Sequence, residues 1–133
     1  MTTHASGAFD VQLNPRPPDS AADAAVGQLS IDKQFHGDLE ATSRGQMLAA
    51  QGGVEGSAGY VAMERVNGSL HGRSGAFVLM HAGVMTRGAA QLTISVVPDS
   101  GSSELASLAG TMSIEITDGK HFYHFDYTLD QRP

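Results

Sequence analysis

Three side chains near the C-terminus are of the types found in an acyl-transfer triad, namely Ser113, His124 and Asp126. Between them, Asp118-Gly119 is typical of a two-residue type I′ hairpin turn. This turn places Ser113 directly opposite His124, and Asp126 follows on the same face because side chains alternate along a strand. The sequence shows neither a strained nucleophile elbow nor identifiable oxyanion donors. A polar outer surface is therefore the favoured interpretation, and catalysis is the alternative.

His121 and His124 are three residues apart, a spacing that would suit a metal site on a helix. On a strand, residues three apart point to opposite faces. The sequence also contains no cysteine, which excludes disulfides and thiolate ligands. The glycines of GGVEGSAG superficially resemble those of a phosphate loop, but no Lys-Ser/Thr follows them. We therefore predict neither a metal nor a cofactor.

Glycine is abundant, with 16 residues, and falls at short intervals between β-branched or aromatic runs. This pattern is typical of an all-β sandwich or barrel. The 133 residues suit one domain, in which 15–26 is a loop and SAADAA and SGSSELASLAG form at most short helical turns. The predicted strands span 7–13, 27–35, 39–49, 54–66, 69–82, 88–97, 110–117 and 120–129.

A second type I′ turn is predicted at Asn67-Gly68, which would set Glu64 opposite His71 in a surface charge patch. The alternate face of this hairpin, which includes Met63, is small and apolar, so we expect it to line the interior. Aromatic and aliphatic side chains would then point outward and need cover, as in an oligomer. These outward residues are Tyr60, Phe77, Leu79 and Phe122. If the inner and outer faces of this hairpin are exchanged, Tyr60 and His81 point into the barrel.

A third hairpin turns around His36-Gly37-Asp38. A three-residue loop there would set Phe35 opposite Leu39 and Ile31 opposite Ser43. At the Asp118-Gly119 hairpin, by contrast, the pairing follows directly from the turn type.

Candidate ligand-binding residues follow from polar groups on apolar faces. Lys33, in the run KQF, either reaches the barrel rim with its ammonium group or pairs with a carboxylate inside, and the first arrangement is favoured. His81, at the end of FVLMHAG, is either a satisfied core histidine or a polar anchor in a pocket. Tyr60 and Tyr123 complete the predicted binding set. The candidate titratable groups for catalysis are His81, Lys33 and Glu104.

The charge balance excludes some function classes. With 8 Lys and Arg against 14 Asp and Glu, the formal net charge is −6. An acidic chain without a basic run is a poor ligand for nucleic acid. No apolar stretch is long enough to span a membrane, and no signal peptide is recognisable. We therefore expect a cytoplasmic protein without nucleic-acid or membrane partners.

Four stretches together resemble a bacterial family of uncharacterised small proteins that is classed with the allene-oxide-cyclase-like barrels. They are IDKQFHGDLEATSRGQML, GSAGYVAMERVNGSLHGRSGAFVLMHAG, VVPDSGSSELASLAG and DGKHFYHFDYTL. The resemblance covers Gly7 to Leu129. It implies a closed or nearly closed eight-stranded antiparallel barrel that forms homo-oligomers, and it supplies no activity.

Three functions remain open from the sequence. The first is a barrel that binds a small, largely apolar ligand. The second is an isomerase or cyclase, which would work mainly by holding a reactive conformer of an apolar substrate. The third is a non-catalytic barrel that associates with copies of itself.

Overall fold

The computed structural model describes residues 2–16 and 26–129. Within these ranges eight antiparallel strands form a closed barrel in chain order, and β1 pairs with both β2 and β8 to close it. The strands are β1 (Thr3–Arg16), β2 (Gly27–Phe35), β3 (Leu39–Gln51), β4 (Ala58–Leu70), β5 (Arg73–Thr86), β6 (Ala89–Val96), β7 (Ala109–Thr117) and β8 (Lys120–Thr128).

The predicted eight-stranded, all-β barrel is confirmed. Helical structure in the described ranges is limited to a 3₁₀ turn at Ser103–Leu105, within the predicted excursion between β6 and β7. The helical turn predicted in SAADAA lies outside the described residues. In residues 2–16 and 26–129, no helix has the length and apolar character needed to cross a membrane.

Aromatic side chains fill the closed end of the barrel, the end at which β2, β4 and β6 finish. The Phe35 and Tyr123 rings meet edge to face with centroids 5.6 Å apart, and Phe77 stacks on Phe125 at 6.0 Å. Leu105, on the 3₁₀ turn, is fully buried against this cluster. Burying one side chain of this size stabilises the folded state by about 1.5–3 kcal/mol. The closed end is therefore a packed core.

Every residue pair predicted for the hairpin at Asp118-Gly119 is confirmed. Both turn residues have positive φ, 52° and 76°, as a type I′ turn requires. Ser113 pairs with His124 and Thr111 pairs with Asp126, as the turn type predicts.

The turn predicted at Asn67-Gly68 is wrong. The chain reverses four residues later, at His71 (φ 47°) and Gly72 (φ 82°), and Leu70 pairs with Arg73. Gly68 lies inside β4, where a Cβ atom would fall 2.2 Å from the carbonyl oxygen of Glu40. Gly68 therefore allows β4 to approach β3 closely. The left-handed backbone that the turn needs is provided by His71 and Gly72.

The inward and outward faces of this hairpin are the reverse of those predicted. Phe77 and Leu79 are buried inside the barrel, Tyr60 also faces inward, and Met63 is 51% exposed on the outside. The large side chains on β5 fill the core volume that the small face would have left empty. Phe122 pairs with Ala8 and Glu115 on the outer face, as predicted, and is half-buried there.

The pairing predicted for the β2–β3 hairpin is wrong by two residues. Phe35 lies opposite Ala41, and Ile31 lies opposite Gly45. The loop after β2 bonds to β1 instead of closing a three-residue turn, since the His36 amide donates to the carbonyl of Ala8. A shift of two residues leaves each side chain on its predicted face.

Candidate functional site

The interior of the barrel holds a charged cluster centred on Glu64. One carboxylate oxygen, Oε2, lies 2.7 Å from Lys33 Nζ and 2.7 Å from His81 Nε2. The other, Oε1, accepts a hydrogen bond of 2.9 Å from Ser43 Oγ. Because an ionised carboxylate only accepts, Nε2 of His81 carries a proton. These four residues are called the Glu64 cluster below.

Four consecutive strands bring the cluster together. β2 carries Lys33, β3 carries Ser43, β4 carries Glu64 and β5 carries His81. In the ladder, Glu64 lies opposite Gly45, where a Cβ atom would fall 2.9 Å from the Glu64 Cβ and 2.0 Å from the Met63 carbonyl oxygen. The bare backbone at Gly45 therefore lets β3 approach β4 beside the carboxylate.

The cluster is shielded from water. The Glu64 side chain is 0% exposed, Lys33 6% and His81 4%. Burial would raise the pKa of the Glu64 carboxyl, but the hydrogen bond from His81 and the positive charge of Lys33 outweigh it and hold this pKa below its ordinary value. Glu64 is therefore ionised at neutral pH.

The Lys33 ammonium group also lies over two aromatic rings. Its Nζ is 5.1 Å from the centroid of Phe9 and 5.6 Å from that of Phe35. Cation–π attraction adds to the ion pair in this water-poor setting. The prediction that Lys33 reaches the rim is wrong, because Glu64 provides the inner carboxylate that the alternative required.

A cavity of about 440 Å³ lies at the other end of the barrel, where β3 and β5 finish and β4 and β6 begin. We call it the mouth cavity. Aliphatic side chains dominate the described part of its wall, where none of the lining residues is charged. The lining consists of Met47, Ala49, Ala50, Gln51, Ala58, Gly59, Tyr60, Gly83, Val84, Met85, Ala90, Gln91 and Leu92.

Tyr60 connects the mouth cavity with the Glu64 cluster. It is half-buried and lines the cavity, while its ring lies 6.3 Å from the His81 ring between centroids. The ring covers Gly83, where a Cβ atom would fall 2.3 Å from Tyr60 Cε1. Burial and then the negative charge of Glu64 raise the pKa of the Tyr60 phenol. Tyr60 and His81 thus lie together, as the reverse assignment of the hairpin requires.

The residues of the predicted triad lie on the outer face. His124 Nε2 bonds to Glu115 at 3.0 Å, and its ring stacks on His4 with centroids 5.6 Å apart. Asp126 bonds to His4 at 2.8 Å. Ser113 is exposed and pairs with His124 only in the backbone register. These contacts form a polar outer surface, in which neither the histidine nor the aspartate is directed at the serine.

The two remaining candidates lie away from the mouth cavity. The Tyr123 hydroxyl is buried at the closed end, where it accepts from the Leu39 amide and donates to the His36 carbonyl, both at 2.8 Å. Glu104 is exposed on the 3₁₀ turn and accepts from the Ser74 amide at 3.1 Å. Across residues 2–16 and 26–129, no group of three or more histidine or carboxylate side chains is arranged to hold a metal ion.

Comparison with known proteins places the chain in a family. The family described as "Protein of unknown function (DUF3224)" matches residues 5–127. The chain belongs to the DUF3224 family. A crystal structure of a DUF3224 protein of unknown function from Shewanella oneidensis MR-1 is 47% identical, and the match covers 99% of this chain and 100% of that one with a TM-score of 0.92. No curated protein matches the sequence.

The centre of the Glu64 cluster is not predicted by the sequence of this DUF3224 chain. The turn predicted at Asn67-Gly68 places Glu64 in a surface patch with His71, and no pattern indicates Ser43 as a site residue. The sequence nevertheless contains a signal, because Glu64 alternates with the apolar residues Ala62 and Val66. A carboxylate on an apolar face predicts an internal cation, and Lys33 also lay on an apolar face.

Proposed function

We propose that this barrel binds a small, largely apolar molecule in the mouth cavity. The observation that carries the proposal is the cavity itself, about 440 Å³ of space whose described lining is uncharged and mostly aliphatic. This volume lies within the range of small-molecule sites, which are typically apolar with a few placed polar groups. Tyr60 is the polar group nearest the barrel interior, while Gln51 and Gln91 are exposed.

The Glu64 cluster supports binding more than chemistry. Its carboxylate already bonds to Lys33, His81 and Ser43, so the cluster is satisfied without a ligand. A network of this kind holds four strands in one arrangement and keeps the cavity wall rigid. Isomerase chemistry remains the alternative, and the observation in its favour is a buried carboxylate whose pKa is shifted beside a cavity.

Filling the cavity is expected to weaken ligand binding. Ala49 lines the mouth cavity on the inner face of β3, so Ala49→Phe would occupy the space. The neutral dye N-phenyl-1-naphthylamine brightens in apolar sites, and the chain has no tryptophan to interfere. We expect its affinity to fall by about tenfold or more, as crowding a packed site costs roughly 1–3 kcal/mol.

The matched control is Ala8→Phe, on the exposed outer face of β1. This variant adds the same ring outside the cavity and should bind the dye like the parent. Thermal unfolding of both variants checks that the barrel is intact. Equal dye affinity in the parent and Ala49→Phe would refute the cavity as the binding site.

We also propose that the barrel associates with a second copy of itself. Four large apolar side chains on the outer face of β3–β5 are between 42% and 54% exposed, and we call them the outer patch: Leu48, Val61, Met63 and Met80. Val61 lies beside Leu48 in the ladder, and Met63 lies beside Met80. A contiguous apolar patch on a sheet face suits an isologous contact, in which two identical patches cover each other.

A charge placed in the outer patch is expected to separate the copies. Val61→Lys would bury an ammonium group against an identical one across a two-fold contact, whereas Ser113→Lys adds the same charge on the exposed outer face of β7. Sedimentation velocity should show a dimer for the parent and Ser113→Lys, and a monomer for Val61→Lys. A parent that sediments as a monomer at all concentrations would refute self-association.

A further inference from the structure

The Tyr60 hydroxyl differs from the other two tyrosine hydroxyls of the chain. Tyr123 bonds to backbone groups of Leu39 and His36, and Tyr127 bonds to His71. For Tyr60, no hydrogen-bond partner exists among residues 2–16 and 26–129. Tyr60 is only half-buried, and no buried side-chain nitrogen or oxygen of the described residues lacks a partner, so this hydroxyl is accessible from outside the core. The unpaired hydroxyl at the mouth cavity is therefore a donor available to a ligand.

The position of this hydroxyl is fixed by packing. The Tyr60 ring lies against the bare backbone of Gly83, with the His81 ring on its inner side at 6.3 Å between centroids. His81 is in turn held by its hydrogen bond to Glu64. A ring held in this way presents its hydroxyl without the entropy cost of ordering a mobile side chain.

The charges around the cavity favour a neutral ligand. Among the lining residues that the structure describes, none is a lysine, arginine or histidine, so no described side chain in the wall would pair with a carboxylate. The charge that acts on Tyr60 is the negative one of Glu64, which together with burial raises the pKa of the phenol. Tyr60 therefore keeps its proton at neutral pH and donates it in a hydrogen bond.

Resting on the proposed function, we propose that the ligand is a neutral apolar carbonyl compound whose oxygen accepts a hydrogen bond from Tyr60. A ketone, aldehyde or ester oxygen only accepts, which matches Tyr60 as the donor nearest the barrel interior, because the amide donors of Gln51 and Gln91 are exposed. A bound alcohol would also bring a donor of its own, and the lining residues other than Tyr60 offer side-chain acceptors only at the exposed Gln51 and Gln91.

Three probes of nearly the same shape test the proposal. They are 2-acetylnaphthalene, a ketone, 2-ethylnaphthalene, a hydrocarbon, and 2-naphthoate, a carboxylate. Affinities are measured by displacement of N-phenyl-1-naphthylamine from the parent, Tyr60→Phe and Tyr127→Phe. We expect the ketone to bind most tightly, and Tyr60→Phe to weaken ketone binding by about 3- to 10-fold, the worth of one hydrogen bond.

The controls separate this inference from the proposed function. Tyr60→Phe should leave the affinity for 2-ethylnaphthalene unchanged, and Tyr127→Phe, which removes a hydroxyl that bonds to His71, should leave all three affinities unchanged. If the three probes bind equally, or if the carboxylate binds best, the carbonyl inference is overturned while the cavity remains a binding site. If neither the dye nor any probe binds, the proposed function fails and the inference fails with it.

Discussion

Replacing Glu64 with glutamine is expected to lower the free energy of unfolding by about 3–5 kcal/mol, because breaking a buried ion pair leaves an uncompensated charge. The charge left behind is that of Lys33, whose side chain is only 6% exposed. Glutamine keeps the size of the side chain, so a cavity is not the cause of the loss. Chemical unfolding followed by circular dichroism would measure it.

The geometry of Lys33 explains why the barrel cannot easily relax. Its ammonium group lies over the rings of Phe9 and Phe35, and both rings belong to the buried core. To reach water, the ammonium group would have to leave these rings and its ion pair with Glu64. A total stability of about 5–15 kcal/mol is usual for a domain, so the expected loss is a large fraction of it.

A double variant shows whether the unpaired charge is responsible. Glu64→Gln combined with Lys33→Met removes both charges and should recover most of the lost stability, since a buried ion pair can often be replaced by uncharged residues of similar volume. Glu115→Gln is the exposed control, because Glu115 pairs with His124 at the surface and its loss should change the unfolding midpoint little. If Glu64→Gln unfolds at the parental midpoint, the buried ion pair does not stabilise the barrel.

The eight-stranded architecture could be predicted from the sequence because strand alternation and turn residues are local signals. Asp118-Gly119 shows this most clearly, since the turn type determined the pairing of β7 with β8. Asn67-Gly68 is an equally good turn pair locally, yet the chain turns at His71-Gly72. What decides between them is the closure of β4 on β3, where Gly68 lies opposite Ala41. This is a contact between distant parts of the chain.

Prediction of the Glu64 cluster depended on the same long-range pairing of β4 with β3. With the turn at Asn67-Gly68, Glu64 would pair with His71, whereas in the barrel it pairs with Leu79. The partner changes, but an even shift in pairing leaves Glu64 on the same face of the sheet. That face was predicted to point outward, whereas Phe77 and Leu79 on it fill the core. Lys33 and His81 could be recognised as polar residues on apolar faces, but their common partner could be named only once the inner face of β4 was known.

Gly68→Ala is expected to destabilise the barrel by roughly 1–3 kcal/mol, the usual cost of forcing extra volume into a packed site. A Cβ atom there would fall 2.2 Å from the Glu40 carbonyl oxygen and 2.5 Å from the Ala41 Cα, so the β3 backbone must move. The backbone of Gly68 does not have a positive φ, so the penalty is steric and not conformational. Urea unfolding would measure it.

Gly59→Ala, on the same strand, is the matched control with the opposite expected sign. Its new Cβ would lie 3.8 Å from the Gly83 carbonyl oxygen, an ordinary contact. Because alanine also reduces the entropy of the unfolded chain, this variant should stabilise the barrel by about 0.4–1 kcal/mol. If both alanines have the same effect, close approach of β3 and β4 is not the reason for glycine at position 68. A stabilising Gly68→Ala would show that the strands are farther apart there than the structure places them.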